Sequence, residues 1–227
     1  MITVLIPCYN EINTIEKLVY KILNLNNLRI EIIIIDNNST DGTKDILKNN
    51  LESKVSKIIY NDSNHGKGYS LKKGIEAATG EIILVQDADL EYDPNEYEKL
   101  IHPIKKGYAD VVYGSRYLKS NEAKVLFFWH TLANRSLTFL SNMFTNLNLT
   151  DMLTCYKVFK SDIIKKIDLK EKGFGFDSEV TAKIAKLKPR VYEVGISYFG
   201  RSYKEGKKIR LKDGLILLKC ILKYSLF

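Results

Sequence analysis

Short apolar runs alternate with amphipathic segments through the first half of this chain, and each apolar run ends in a polar loop. Ile2–Ile6, Ile30–Ile35, Val55–Tyr60, Glu81–Val85 and Asp110–Tyr113 read as strands. The β-branched run at 30–35 suits a strand covered on both faces. Between them, Glu11–Asn24 carries Ile15, Leu18, Val19 and Ile22 at helical spacing. Thr43–Leu51, Gly68–Ala78 and Pro94–Lys106 read as further helices, the last with proline in its first turn. Such alternation predicts an α/β fold, a mainly parallel sheet flanked by helices. Ligands of these sheets bind beyond the carboxyl ends of the strands. The polar clusters fall there: Asn10-Glu11, Asp36–Asp41, Asp87–Asp89 and Ser115-Arg116.

The second half is less regular. Val125–Leu149 reads as one or two helices, Thr154–Phe159 as a strand and Ser161–Ile167 as a helix. Asp177–Leu187 reads as a helix, Val191–Tyr198 as a strand and Leu211–Phe227 as a last, amphipathic helix with lysines among leucines. No repeat or linker divides the 227 residues, so one domain is expected, with a donor half (1–118), an acceptor half (119–210) and the terminal helix (211–227).

The formal net charge of +8 suits an anionic partner, whether nucleotide phosphate, nucleic acid or membrane surface, or else a lysine-rich solvated surface. Three scattered cysteines with no metal-binding spacing suit a reduced, cytoplasmic location. The amino terminus lacks the pattern of a signal peptide. No apolar run reaches the roughly 18 residues of a spanning helix.

Asp87-Ala88-Asp89 follows an apolar strand. Two carboxylates one residue apart can share a hard cation with diphosphate oxygens, with Glu91 as a third ligand or a support. Asp36 stands where a carboxylate accepts from a base N–H or a ribose hydroxyl. Its neighbours Asn37–Gly42 also read as a turn and helix cap. Pro7-Cys8-Tyr9-Asn10-Glu11 reads as a turn or as a nucleoside wall. In Asn64-His65-Gly66-Lys67-Gly68 the glycines let a backbone approach phosphate at a helix start, and His65 reads as a loop residue. Arg116, Arg135 and Arg201 are candidate phosphate clamps, because a guanidinium donates twice. Arg201 opens a basic stretch running to Lys208. The apolar stretch Phe127–Phe144, which contains Arg135, reads either as a buried helix pair or as a lipid-touching surface.

In order, Pro-x-Tyr-Asn-Glu, Asp-x-x-Ser-Thr-Asp-Gly-Thr, Gly-Lys-Gly, Asp-Ala-Asp-Leu, Gly-Ser-Arg and the arginine-bearing tail resemble a family 2 glycosyltransferase of the GT-A fold. Within that family they are similar to the dolichyl- or polyprenyl-phosphate mannosyltransferase-like branch. The resemblance covers Ile2 to about Ile209. It implies that Pro7, Tyr9 and Glu11 line the nucleoside, with Asp36 on the base. Lys67 and Gly68 would help hold the donor. Asp87 and Asp89, with Ala88 between them, would bind Mg2+ or Mn2+, with Glu91 as the third position. Arg116 and Arg135 would contact the acceptor phosphate, and Arg201 would pin the donor diphosphate. Glu179 matches an acidic position near the site. The chain departs from the family at Asp36-Asn37, where many members have two acids, and at Glu91, where the mannosyltransferases usually have Gln. It departs again at Cys155-Tyr156, where many have Gly-Phe, and at Gly206-Lys207-Lys208, which lacks the usual Ser.

The expected reaction is an inverting, metal-dependent transfer of a sugar from a nucleotide diphosphate, in cell-envelope biosynthesis. A polyprenyl-phosphate acceptor is already anionic, and it would place the chain as a peripheral protein on the inner face of the cytoplasmic membrane. A sugar-hydroxyl acceptor needs a base, Asp151 first and Glu179 second. A non-catalytic nucleotide-sugar binder is the alternative of another class. Nucleic acid is not an expected partner, since carboxylates crowd the strand ends.

Overall fold

The long β-branched run at the second strand fixes the centre of the molecule, because a strand apolar on both faces must be covered on both. The computed structural model describes residues 1–118, 125, 127–201 and 211–226. Among these, seven strands form one sheet: β1 (Ile2–Cys8), β2 (Ile30–Asp36), β3 (Lys57–Tyr60), β4 (Ile82–Val85), β5 (Val111–Ser115), β6 (Lys157–Lys160) and β7 (Val191–Gly195). Their order is β3-β2-β1-β4-β6-β5-β7. Only β6 runs antiparallel to its neighbours, β4 and β5. Ile33, Ile34 and Ile35 of β2 are fully buried. In register, Cys8 of β1 lies opposite Asp36, so the ends of β1 and β2 present their loops side by side.

The helices are α1 (Ile15–Leu23), α2 (Thr43–Ile46), α3 (Lys67–Ala77), α4 (Tyr97–Lys105), α5 (Phe128–Thr145), α6 (Ser161–Ile164), α7 (Phe176–Leu187) and α8 (Leu211–Leu226). The buried face of α1 is Ile15, Leu18, Val19 and Ile22, each contributing roughly 1.5–3 kcal/mol relative to exposure. α1 begins four residues later than its periodicity predicts, because Glu11–Thr14 form a turn closed by Thr14 N on Glu11 O at 3.1 Å. The single helix expected at 43–51 is α2 followed by a π-helical turn, Leu47–Leu51. The stretch at 125–149 holds one helix, closed by Asn146 in the left-handed conformation. β7 stops at Gly195 rather than continuing to Tyr198. There the chain leaves the sheet to bond Glu96 through Ser197 N and Glu91 O through Phe199 N. That departure carries Tyr198 and Arg201 over the carboxyl ends of the strands.

Candidate active site

The carboxyl ends of β1, β2, β4 and β5 surround one cavity of about 370 Å³. Its wall at β1 is Pro7, Cys8, Tyr9 and Glu11. This loop is tied to the loop after β2. Asn10 N donates to Ser39 Oγ at 2.9 Å, Thr40 N to Asn10 Oδ1 at 2.8 Å, and Glu11 N to Thr43 Oγ1 at 2.9 Å. The Ser-Thr-Asp-Gly-Thr stretch is therefore a brace for the wall. Asp36 belongs to the brace as well, which corrects its expected contact with a base. It is fully buried, outside the cavity lining, and both its carboxylate oxygens accept from Ser39 N at 3.3 Å.

Asn37 lines the cavity in its place. Its Oδ1 accepts from His65 N and Asn61 Nδ2, both at 3.1 Å, and its Nδ2 donates to Asn64 Oδ1 at 2.7 Å. Because a backbone N–H only donates, these bonds fix which way the amide points. His65 is a loop residue as expected, with Nε2 2.8 Å from Asp62 Oδ1. Of the glycines beside it, Gly66 lines the cavity and Gly68 does not. A Cβ at Gly68 would stand 2.2 Å from Glu171 O. Gly68 thus lets α3 seat against residues 171–173, a packing role instead of the expected donor contact. That seating sets Lys67 at the cavity.

Lys67 Nζ lies 2.6 Å from Asp87 Oδ1. Burial works against both charges, but each holds the other: the Lys67 ammonium is kept above its ordinary range and the Asp87 carboxyl below its own. Asp89 differs. Burial, then Asp87 and Glu91 beside it, push its carboxyl up to about 7. Arg201 answers that crowding. Its Nη2 lies 2.9 Å from Asp89 Oδ2 and 3.1 Å from Glu11 Oε1. Glu91 accepts from Arg201 N and from Tyr198 Oη, both at 2.7 Å. Glu91, expected as a third ligand or a support, lines the cavity and here anchors the segment after β7. The basic stretch 202–208 lies outside the described residues.

Arg116 enters from the end of β5, and its bonds to Asp151 run from Nε at 2.7 Å and Nη2 at 2.8 Å. Asp151 is fully buried and off the cavity wall. Its carboxylate is held twice by the Arg116 guanidinium and again by Arg116 N at 3.1 Å, away from the cavity. This overturns its expected place as first candidate base. Glu179, the second, is overturned too. It is fully buried, accepting from Lys170 N at 2.8 Å and Glu171 N at 2.7 Å, with Lys183 at 2.6 Å. The acid that α7 presents to the cavity is Asp177, ion-paired to the buried Lys157. Two residues separate Asp177 from Glu179, which puts them on opposite sides of α7, so the sequence signal was present but pointed at the member turned from the cavity. Arg135 stands on the exposed side of α5, not in the cavity lining. Its guanidinium lies 5.2 Å from the Tyr117 ring, whose centre is 6.0 Å from that of Arg116.

Among the described residues, no three carboxylate, imidazole or thiolate groups converge as a metal set. The chain's own cations occupy the acids: Lys67 holds Asp87, and Arg201 holds Asp89. Three carboxylates, Glu11, Asp89 and Glu91, stand around the single Arg201 guanidinium, with the Asp87–Lys67 pair beside them. The acidic pair thus fits a divalent cation, and the neighbouring arginines and lysine fit a polyanion.

The glycosyl transferase family 2 model matches residues 3–168. A dolichol-phosphate mannosyltransferase of Pyrococcus furiosus is 27% identical over 92% of this chain. The chain spans 60% of that relative's length. An undecaprenyl-phosphate mannosyltransferase of Micrococcus luteus is 26% identical, covering 89% of this chain and 85% of its own. Glucosyl-3-phosphoglycerate synthase of Mycobacterium tuberculosis, crystallised with Mn2+, UDP and phosphoglyceric acid, superposes with a TM-score of 0.76 at 17% identity. That match covers 99% of this chain and 78% of the synthase, and it confirms the expected GT-A fold. Among the described residues no helix is long and apolar enough to cross a membrane. The matched segment contains the strand ends and the acidic pair that build the cavity, and on this ground the chain belongs to glycosyl transferase family 2 and is a glycosyltransferase.

Proposed function

We propose that this chain transfers a sugar, with inversion, from a nucleotide diphosphate donor to the phosphate of a polyprenyl-type lipid. The observation that carries the reading is the pairing of Asp89 with Arg201, and of Asp87 with Lys67, in one cavity. Such a site holds a diphosphate and a divalent cation together. The donor half is 1–118: Pro7, Tyr9, Glu11 and Asn37 take the nucleoside, and Lys67 and Arg201 take the diphosphate. Asp87 and Asp89 would hold Mg2+ or Mn2+, which neutralises charge on a leaving diphosphate. Lys67 and Arg201 stabilise the same charge from fixed positions, where a preorganised cation acts most strongly. Residues 119–210 form the acceptor half. There Arg116, held rigid by Asp151, faces the acceptor phosphate. A phosphate is already a nucleophile and needs no proton removed. That fits a site in which Asp151 and Glu179 are both fully engaged. Two of the curated relatives carry lipid-phosphate mannosyltransferase names, and such an acceptor places the reaction at a membrane surface, on its cytoplasmic side.

A second reading has its own observation. Asp177 lines the cavity and could take a proton from a sugar hydroxyl. Incubation with labelled nucleotide sugars, Mn2+ and either polyprenyl phosphate or an oligosaccharide separates the two. Label in the lipid phase, lost in Asp89→Ala but kept in Asp177→Asn, supports the lipid reading. Label only on oligosaccharide, lost in Asp177→Asn, replaces it with the second.

A further inference from the structure

Two side-chain amides line the cavity on the β2 side, Asn37 after that strand and Asn64 before α3. The backbone fixes which way each points. His65 N donates to Asn37 Oδ1 and Gly66 N donates to Asn64 Oδ1, both at 3.1 Å, and a backbone N–H can only donate. The other bonds agree with that assignment. Asn61 Nδ2 donates to Asn37 Oδ1 at 3.1 Å, and Asn37 Nδ2 donates to Asn64 Oδ1 at 2.7 Å. Each carbonyl oxygen therefore accepts two bonds, its full complement. What the pair has left for a ligand is N–H alone: one on Asn37 Nδ2 and both on Asn64 Nδ2.

The sheet says which part of a nucleotide meets these amides. β1 stands between β2, which leads into Asn37, and β4, which leads into Asp87 and Asp89. Two strand spacings, about 10 Å, separate those ends, which is room for a ribose. A nucleotide whose diphosphate meets Lys67 and the acidic pair thus sets its base at Asn37 and Asn64. A carboxylate at position 37 would offer that base acceptors only, and would pair with a ring N–H. The amides have the opposite polarity. They pair with a ring carbonyl or an unprotonated ring nitrogen, and a ring N–H turned toward them goes unpaired, at the cost of desolvating it. Asn37 is 4% exposed, so little water reaches its side chain to relieve a mismatch.

We propose that Asn37 and Asn64 determine nucleobase selectivity in this chain by reading the base through its acceptors, a ring carbonyl or an unprotonated ring nitrogen, and not through a ring N–H. This rests on the nucleotide-diphosphate reading of the donor, and adds to it the kind of atom by which the base is chosen.

Calorimetric titration of the full chain with UDP, GDP, dTDP and CDP, each with Mn2+, first finds the nucleotide that binds tightest. Asn64→Asp then reverses the polarity with the least disturbance. One carboxylate oxygen still accepts from Asn37 Nδ2 and Gly66 N, while the other replaces the two free N–H donors with an acceptor. The side chain is exposed, so melting should stay as in the parent. Affinity for the chosen nucleotide should fall by about tenfold or more, because a donor is lost and two acceptors are set against each other. Asn64→Ala, which only loses the donor, should fall less. Asn37→Asp and Asn37→Ala should rank in the same order. Inorganic pyrophosphate with Mn2+ has no base, and its affinity for Asn64→Asp should stay within about twofold of the parent, the added charge being exposed and about a screening length away. Nucleotide binding in Asn64→Asp as tight as in the parent, or tighter, overturns the proposal, since the base is then not read through an acceptor. An equal fall for pyrophosphate overturns it as well, by making charge and not the base the cause. A parent that binds none of the four nucleotides strikes the donor reading itself, whereas either of the other two results strikes only the reading of the base.

Discussion

The Arg201 guanidinium sits 2.9 Å from the Asp89 carboxylate, so a side chain suited to a leaving diphosphate rests on a side chain suited to a metal. Arg201 also reaches Glu11, and its backbone N–H is held by Glu91. The segment after β7 is thereby latched to the loops after β1 and β4. On the proposed function, a divalent cation and the Arg201 guanidinium would compete for one carboxylate until a diphosphate takes the arginine. Arg201→Ala should therefore bind Mn2+ more tightly when no nucleotide is present. Loss of one charge-assisted bond of about 1.5 kcal/mol corresponds to roughly tenfold in affinity. The same variant should lose turnover by about 10²–10³-fold, as when one donor to a developing charge is removed. Titration of Mn2+ into both proteins, followed by calorimetry, checks the first half. Equal or weaker Mn2+ binding in the variant contradicts the competition.

In the proposed reaction Asp151 would act on the acceptor only through Arg116, which it holds at 2.7 and 2.8 Å. In Asp151→Asn the guanidinium loses its bidentate partner, and the acceptor KM should rise by more than about tenfold while nucleotide binding is kept. Breaking a buried pair costs about 3–5 kcal/mol, which lowers Tm on the order of 10 °C in a chain this size. Asp151→Glu should restore part of the acceptor KM, an outcome a purely structural role does not give.

Gly68 has no room for a side chain, since a Cβ there meets Glu171 O at 2.2 Å. Gly68→Ala should cost about 1–3 kcal/mol through overpacking and shift Lys67 off Asp87. Melting curves read the first effect, and weakened nucleotide binding the second.

Much of this was legible in the chain. The β-branched run at Ile30–Ile35 could be only a buried strand, and acids following such runs mark a ligand edge in any parallel sheet. Asp87, Asp89, Lys67 and Glu11 stand on the cavity for that reason. What the sequence hides is which way a side chain turns. Asp36 and Asn37 are adjacent, yet Asp36, the last residue of β2, turns to Ser39 N while Asn37, the first beyond the strand, lines the cavity. Asp177 and Glu179 differ by two places on α7, so they face opposite ways, and which of them meets the cavity is set by how α7 packs, Glu179 turning to residues 170–171. The exposure of Phe128, Trp129 and Phe139 on α5 was equally hidden, because an aromatic stretch reads the same whether protein or lipid covers it. Tyr198 gave no local signal, since its place depends on β7 stopping early.

Acid stability follows from Asp110, away from the cavity. It accepts from Arg190 Nε at 3.0 Å and from Lys160 Nζ at 2.8 Å, and these bonds, Arg190 foremost, hold its carboxyl well below the ordinary range. A depressed folded value contributes stability above the unfolded pKa of about 3.9 that is lost as pH falls through the folded one. Asp110→Asn should melt a few degrees lower than the parent at pH 7, and the gap should close as pH falls below about 4. Melting series on both proteins across pH check this, and a gap that widens toward acid contradicts it.

The central claim is that the cavity at the strand ends is a metal-assisted nucleotide-sugar site. Its most direct test is a set of melting curves with UDP, GDP, dTDP and their sugars, each with and without Mn2+. A ligand that binds the folded state raises Tm, by an amount that grows with concentration over Kd. The account predicts a rise with one of these nucleotides, larger with Mn2+ and lost in Asp89→Ala. No rise with any of them, or a rise that Asp89→Ala leaves intact, contradicts it.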